Sequence, residues 1–241
     1  MSRQPPRLEC FIPAYNEAAD LEANVERLVA FCREAITGTF RVTVVNNGST
    51  DATRECADRL VARLPEVGAL HFPEKGRGRA LRSAFLGSEA SWIGYMDADL
   101  STHLKALPEA LRCLEAGADL VVGSRLTPAS HTVRRPHREV LSRAYNVLVR
   151  RLFATRVRDH QCGFKFLTRE VCRELVPQTR DDLWFFDTEL LVLAQRADRR
   201  VEEIPVDWIE DLGSTVNIAR TVRDDLVGMW RLRQRLRSRP S

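Results

Sequence analysis

Trp92-Ile93-Gly94-Tyr95-Met96-Asp97-Ala98-Asp99-Leu100 decides how this chain is read. Trp92–Met96 is an uncharged run of strand length, and two carboxylates spaced two apart follow it at once. A carboxylate pair at a strand end can hold Mg²⁺ or Mn²⁺, hard ions that take oxygen ligands and complete their shell with phosphate oxygens and water. The plainer reading is a solvated acidic loop, or a cap for a helix beginning near His103, since acids are favoured there. Working outward, apolar strands and amphipathic helices alternate. Strands are expected at Leu8–Ile12, Arg41–Val45, Ala69–Phe72 and Leu120–Val122. Helices are expected at Ala18–Arg33, capped by Asn16 or Asp20, from Thr50-Asp51 to about Leu64, at Gly78–Gly87 and at His103–Glu115. Near-continuous apolar strands alternating with helices imply an α/β fold whose single, mostly parallel sheet is covered on both faces. Ligands of such sheets sit beyond the carboxyl ends of the strands. That rule brings three loops to one place: Pro13–Glu17, Asn46–Asp51 and Asp97–Thr102.

The composition narrows the class. The chain has 241 residues, 44% hydrophobic and 29% charged, enough to fill a core and too apolar for a disordered polyelectrolyte. The longest notable apolar run, Leu190–Ala194, is far short of the ~20 residues a membrane span needs. Arg7 to Ile12 is too short for the apolar core of an export signal. A net charge of +4 is too small to argue for nucleic acid, and no nucleic-acid-binding motif is present. The six cysteines are scattered without a C-x-x-C pair, so they read as reduced, mostly core-filling thiols, which suits a cytoplasmic location. In the second half, helices are expected at Arg138–Phe153, Phe186–Gln195 and Ile218–Leu236. Strands are expected within Asp159–Leu167 and at Val201–Val206.

Two further segments sharpen the picture. Phe11-Ile12-Pro13-Ala14-Tyr15-Asn16-Glu17 and Val45-Asn46-Asn47-Gly48-Ser49-Thr50-Asp51 each read alone as a turn followed by a helix cap. In this order, followed by D-A-D, they resemble the family 2 glycosyltransferases of the GT-A fold. Within these the likeness is to the polyprenyl-phosphate (dolichyl-phosphate) sugar synthases. Lys75-Gly76-Arg77-Gly78-Arg79-Ala80-Leu81-Arg82, Val122-Gly123-Ser124-Arg125 and the basic Arg134–Ser142 loop add to it. Asp159-His160-Gln161-Cys162-Gly163-Phe164-Lys165 is similar to the D-x-Q-C-G-F-K of dolichyl-phosphate β-glucosyltransferases, and Phe186-Asp187-Thr188-Glu189 with Glu203-Ile204-Pro205-Val206 completes the set. The likeness runs from about Leu8 to Leu232. The chain departs from the common D-D-G-S in carrying Asn46 and Asn47, and it has Ser101 where many mannosyl relatives carry Gln.

The resemblance implies that a polyprenyl monophosphate attacks the anomeric carbon of a nucleotide-activated hexose with inversion, releasing a nucleoside diphosphate. UDP-glucose is the favoured donor, with UDP-N-acetylgalactosamine and GDP-mannose as alternatives. It implies a nucleotide-sugar site of Pro13, Tyr15, Glu17, Asn46, Asn47, Asp51, Lys75, Asp97 and Ala98. Asp97 and Asp99 would hold Mg²⁺ or Mn²⁺ and stabilise the leaving diphosphate. Asp99, Asp159 and Arg125 are the catalytic candidates, and Arg125, Arg134, Arg135 and Arg138 the acceptor-phosphate candidates, since arginine forks match phosphate oxygens.

Residues 1–213 are expected to form the GT-A domain, and residues 214–241 a basic amphipathic helix and tail of the same unit. Leu141–Phe153 and Ile218–Leu236 admit two readings, packing on the core or lying on an anionic membrane surface with arginines at the headgroups. The five arginines from Arg231 to Arg239 would add attraction there. The expected location is therefore peripheral, on the cytoplasmic face of a membrane. Two rivals remain: a transferase with a soluble glycan or small-molecule acceptor, against which the arginine cluster argues, and a binding protein without turnover, against which the intact Asp97 and Asp99 argue.

Overall fold

The computed structural model describes residues 4–209 and 218–238. Seven strands form one sheet: β1 (Leu8–Ala14), β2 (Phe40–Asn47), β3 (Val67–Phe72), β4 (Trp92–Met96), β5 (Leu120–Ser124), β7 (Phe164–Thr168) and β8 (Val201–Pro205). A two-stranded ribbon pairs β6 (Thr132–Val133) with β9 (Trp208–Ile209). The helices are α1 (Leu21–Ala35), α2 (Thr53–Arg63), α3 (Arg77–Gly87), α4 (Ala106–Glu115), α5 (Pro136–Phe153), α6 (Arg169–Leu175), α7 (Phe186–Arg196) and α8 (Ile218–Arg237).

The sheet order is β3-β2-β1-β4-β7-β5-β8. The Val42-Thr43-Val44-Val45 run of β2 is buried throughout, as a strand covered on both faces requires. β7 runs antiparallel to both β4 and β5, and the other pairings are parallel. The sheet is thus mixed and mostly parallel. The order reverses between β1 and β4, since β2 and β3 build outward from one side of β1 and β4 lies on the other. That reversal opens a crevice at the strands' carboxyl ends.

Several helices begin later than the sequence suggests. α1 starts at Leu21, and Asp20 makes no side-chain cap. Asn16 instead sits at a φ of 58° and accepts the Thr50 N–H at 2.8 Å, tying the first loop to the second. α2 starts at Thr53 because Asp51 accepts the Thr53 N–H at 3.0 Å. α4 starts at Ala106, so the D-A-D acids do not cap it. α5 is longer than expected and opens on Pro136, whose fixed φ suits a first helical turn. The cysteines are unpaired and all but Cys113 are buried, as expected of core filler.

The main core spans the sheet and its flanking helices. A second cluster joins Val149 of α5, Phe185, Val192 of α7, and Met229 and Leu232 of α8. α8 therefore packs on the core along one stripe. The expected boundary between residues 213 and 214 lies outside the described residues.

Candidate active site

Three loops meet at the crevice. After β1, Tyr15 faces Lys75, whose Nζ lies 3.5 Å from the ring centroid. The Glu17 backbone N–H donates to Thr53 Oγ1 at 2.9 Å. After β2, Asn46 Oδ1 accepts the Ser49 N–H at 3.1 Å and Asn47 Oδ1 accepts the Gly76 N–H at 2.7 Å. Asp51 also accepts the Ala18 N–H at 3.2 Å. Asn46, Asn47 and Asp51 thus build the pocket wall by holding backbone. Asn47 keeps its amide NH₂ for a ligand, and Asp51 also accepts from Thr53 Oγ1 at 2.5 Å.

The acidic loop follows β4. Asp97 Oδ1 accepts from Arg77 Nη2 at 2.8 Å. The Asp97 N–H donates to the Gly163 carbonyl at 3.1 Å. A side chain at Gly163 would place its Cβ 1.6 Å from Asp97 Oδ2, so the glycine is demanded by the carboxylate beside it. Ala98 receives Asn24 Nδ2 on its carbonyl at 3.0 Å. Asp99 accepts from the Ser101 N–H at 2.9 Å and from Ser101 Oγ at 2.6 Å. No third His, Cys, Asp or Glu joins these acids in a metal-binding group among the described residues. Two carboxylates in an open crevice fit Mg²⁺ or Mn²⁺, ions that leave several positions to water and phosphate oxygens.

Arg125 and Asp159 form a buried pair. Arg125 donates to Asp159 from its backbone N–H at 3.1 Å, from Nε at 2.7 Å and from Nη2 at 2.9 Å. Burial alone would raise the Asp159 pKa, but Arg125 outweighs it and holds the carboxyl at about 2. Asp159 is fully buried and holds Arg125 through both of its carboxylate oxygens. Trp208 packs against both Arg125, whose guanidinium carbon is 5.3 Å from the ring centroid, and Arg134, at 5.0 Å. Trp208 also bridges Thr102, and Ile209 N–H donates to Ser101 O at 3.1 Å, so the arginine stack abuts the acidic loop.

A cavity of about 450 Å³ opens beside this stack, walled by Arg125, Arg134, Arg143, Ser130 and Thr132, with Glu139 between two of the arginines. Glu139 accepts from Arg134 at 3.2 Å and from Arg143 at 2.5 Å. Arg134 Nε is buried without a hydrogen-bond partner among the described residues. Burial, then the nearby Arg125, pulls the Arg134 pKa down. Of the four arginines expected here, Arg125 and Arg134 line the cavity while Arg135 and Arg138 do not; Arg143, absent from the sequence-based set, does.

The comparisons with known proteins agree with this geometry. The family model for glycosyl transferase family 2 matches residues 9–176. The chain belongs to glycosyl transferase family 2. It is 40% identical over 221 residues to glycosyltransferase AglD of Haloferax volcanii, covering 90% of this chain but 35% of AglD. It is 33% identical over 223 residues to the dolichyl-phosphate beta-glucosyltransferase of Drosophila melanogaster, covering 86% of this chain and 68% of that protein. The chain thus spans about a third of AglD and about two thirds of the latter. Among solved structures, glucosyl-3-phosphoglycerate synthase from Mycobacterium tuberculosis in complex with UDP superposes with a TM-score of 0.72 at 16% identity, covering 95% of this chain and 80% of that one. The same enzyme with Mn²⁺, UDP-glucose and phosphoglyceric acid gives 0.70 at 17% identity, with the same coverage. The fold is GT-A, the fold of these structural neighbours.

Sequence reasoning assigned no role to Arg77, Tyr95, Lys165, Asp187 or Trp208. A signal existed: Lys165 sits in the apolar strand Phe164–Thr168 and Asp187 in the apolar start of α7, and buried charges of that kind must be paired. Two of the tail arginines also have partners on the core. Arg231 pairs with Asp181 at 3.1 Å, and Arg235 Nη2 lies 2.8 Å from Glu189 Oε1. Two of the five arginines therefore brace α8 against the core, because acids buried there need counter-ions. Arg239 lies outside the described residues.

Proposed function

We propose that this protein is an inverting, divalent-metal-dependent glycosyltransferase that moves a hexose, with UDP-glucose as the favoured donor, onto a polyprenyl monophosphate at a membrane surface. The observation that carries this reading is the arginine-walled cavity set against the acidic loop through Trp208. A neutral hydroxyl acceptor needs a base and no cluster of cations. An anionic phosphate needs the reverse: positioning charge and little activation. The names of the dolichyl-phosphate beta-glucosyltransferase relatives support the same acceptor class.

In this reading Tyr15, Lys75 and the Asn46–Asn47 corner enclose the nucleoside, and Asp97 and Asp99 are the residues that would hold Mg²⁺ or Mn²⁺. The ion supplies Lewis-acid stabilisation of the leaving group. Arg134 and Arg143, released from Glu139, grip the acceptor phosphate. Arg125, fixed by Asp159, adds positive charge beside it. An oxygen of that phosphate forms the new bond to the anomeric carbon as the bond from that carbon to the diphosphate oxygen breaks. The electron pair leaves with the nucleoside diphosphate.

The membrane contact is proposed from the apolar surface around α5 and α8. Val140, Leu141, Val147 and Leu148 of α5 and Leu226, Val227 and Trp230 of α8 are exposed, as are Val133 and Ile209 of the ribbon. α8 packs with one stripe and exposes Leu226, Val227 and Trp230 on its neighbour, which supports the reading of that second stripe as a lipid-facing one. Among the described residues no helix is long and apolar enough to cross a membrane. Arg134→Ala tests the acceptor assignment. It is expected to raise KM for a short prenyl phosphate by at least about tenfold, the loss of one charge-assisted contact, while leaving KM for the nucleotide sugar near its original value. A rise in donor KM alone would move the phosphate site elsewhere.

A further inference from the structure

Arg77 opens α3 and is buried, with 8% of its side chain exposed. Its Nη2 holds Asp97 at 2.8 Å and its Nη1 holds Asp187 at 2.6 Å. Its guanidinium carbon lies 4.8 Å from the Tyr95 ring centroid and 4.7 Å from that of Trp184. Two rings and two carboxylates hold the group in place. Asp187 is in turn held by Lys165 Nζ at 3.1 Å and by the Tyr95 hydroxyl. Arg77, Lys165, Asp187 and Asp97 together carry two positive and two negative charges; the first three are buried, while the Asp97 carboxylate reaches the open crevice.

A divalent ion arriving at Asp97 and Asp99 meets a carboxylate whose charge is already shared with a fixed guanidinium. A nucleoside diphosphate changes the balance by adding negative charge and further oxygen ligands at the same place. We propose that Arg77, locked by Asp187, is the built-in counter-cation of Asp97, keeping the Asp97/Asp99 pair a weak metal site until a nucleoside diphosphate arrives, so that ion and diphosphate are taken up together. Arg77 is a positioning residue in this scheme. It touches no reacting atom and acts through Asp97. The inference rests on the reading of Asp97 and Asp99 as the metal ligands. Reciprocity follows from linkage: whatever factor the diphosphate adds to metal affinity, the metal adds to diphosphate affinity.

The test is a Mn²⁺ titration of the purified full chain, with and without saturating UDP, read by the electron paramagnetic resonance signal of free aqueous Mn²⁺. Arg77→Gln removes the counter-cation and is expected to tighten nucleotide-free Mn²⁺ binding about tenfold, equivalent to about 1.4 kcal/mol, and to shrink the enhancement by UDP to match. Arg77→Met, equally uncharged, takes its place if the glutamine variant does not fold. Asp187→Asn deletes the anion that balances Arg77 and is expected to weaken nucleotide-free binding. Opposite signs for the two changes identify charge balance as the cause. If both variants weaken Mn²⁺ binding, or neither changes it, with melting temperatures near that of the unaltered protein, Arg77 is a structural brace and the inference is overturned. If the unaltered protein takes up no Mn²⁺ even with UDP, the metal reading of Asp97 and Asp99 falls, and this inference with it.

Discussion

Replacing Gly163 by alanine asks whether the placement of the Asp97 carboxylate, with its charge left intact, limits turnover. The Gly163 backbone is fixed by the Asp97 N–H on its carbonyl at 3.1 Å. An added Cβ would lie 1.6 Å from Asp97 Oδ2. Carbon and oxygen rest at about 3.5 Å, so the carboxylate must retreat by about 2 Å or the loop must shift. Retreat also gives up the 2.8 Å hydrogen bond from Arg77. A misplacement of about 1 Å in an active site can cost about 10²-fold, so a loss of about 10²- to 10³-fold in kcat is expected, or about 3–4 kcal/mol of transition-state stabilisation. Overpacking adds a stability cost of about 1–3 kcal/mol, which leaves the fold intact. The assay is steady-state release of UDP from UDP-glucose with a short prenyl phosphate, run beside a thermal melt. Turnover within about threefold of the unaltered enzyme, in a folded variant, would refute the reasoning, because a difference that small is under 1 kcal/mol.

Three further outcomes follow from the buried charges and the apolar face. Asp159→Asn leaves Arg125 buried without its counter-ion and should cost about 3–5 kcal/mol, read by denaturant unfolding at neutral pH; a loss under about 1 kcal/mol would mean Arg125 finds another partner. Asp225 on α8 is held at about 7 by burial, against an ordinary 3.8, so its ionisation makes stability fall as pH rises between those values. His160 is held at about 3 by burial, against 6.5, so it acts in the opposite sense, losing stability as pH falls through that range. Asp225→Asn should therefore stabilise the protein at pH about 8, by up to about 4 kcal/mol, and not at pH about 4; equal gains at both would contradict the assignment. Trp230→Asp alters a side chain that is 62% exposed on α8, so it should leave the melt unchanged and abolish sedimentation with anionic liposomes at low salt; undiminished binding would remove α8 from the membrane contact.

Much of this was legible in the residues, for reasons that differ by element. The buried run of β2 and the strand before Asp97 declare themselves because a strand covered on both faces has no polar period. The site loops are legible because parallel pairing sends the carboxyl ends of β1, β2 and β4 to one edge of the sheet. The insertion of β7 between β4 and β5 is not, since the pattern of Phe164-Lys165-Phe166 marks a strand but says nothing of its neighbours or direction. β6 and β9 are two residues each and lie far apart in sequence, too short for any period. Helix starts slipped where Asp51 and Asn16 found backbone partners in other loops, at Ala18 and Thr50. Arg77 and Asp187 stand 110 residues apart, so their pairing is visible only in the fold. The basic loop drew attention to Arg134, Arg135 and Arg138; of these the turn into α5 faces only Arg134 to the cavity, joined by Arg143 one helical stretch on.

The most direct test of the account is a single reaction: purified protein, Mg²⁺, a short polyprenyl phosphate and a panel of UDP- and GDP-sugars, read by mass spectrometry of the lipid fraction. The account predicts a prenyl-phosphate-hexose, formed from UDP-glucose in preference to the others and absent when the unphosphorylated prenol replaces the phosphate. Sugar transfer to a soluble hydroxyl acceptor with none to the prenyl phosphate would contradict it.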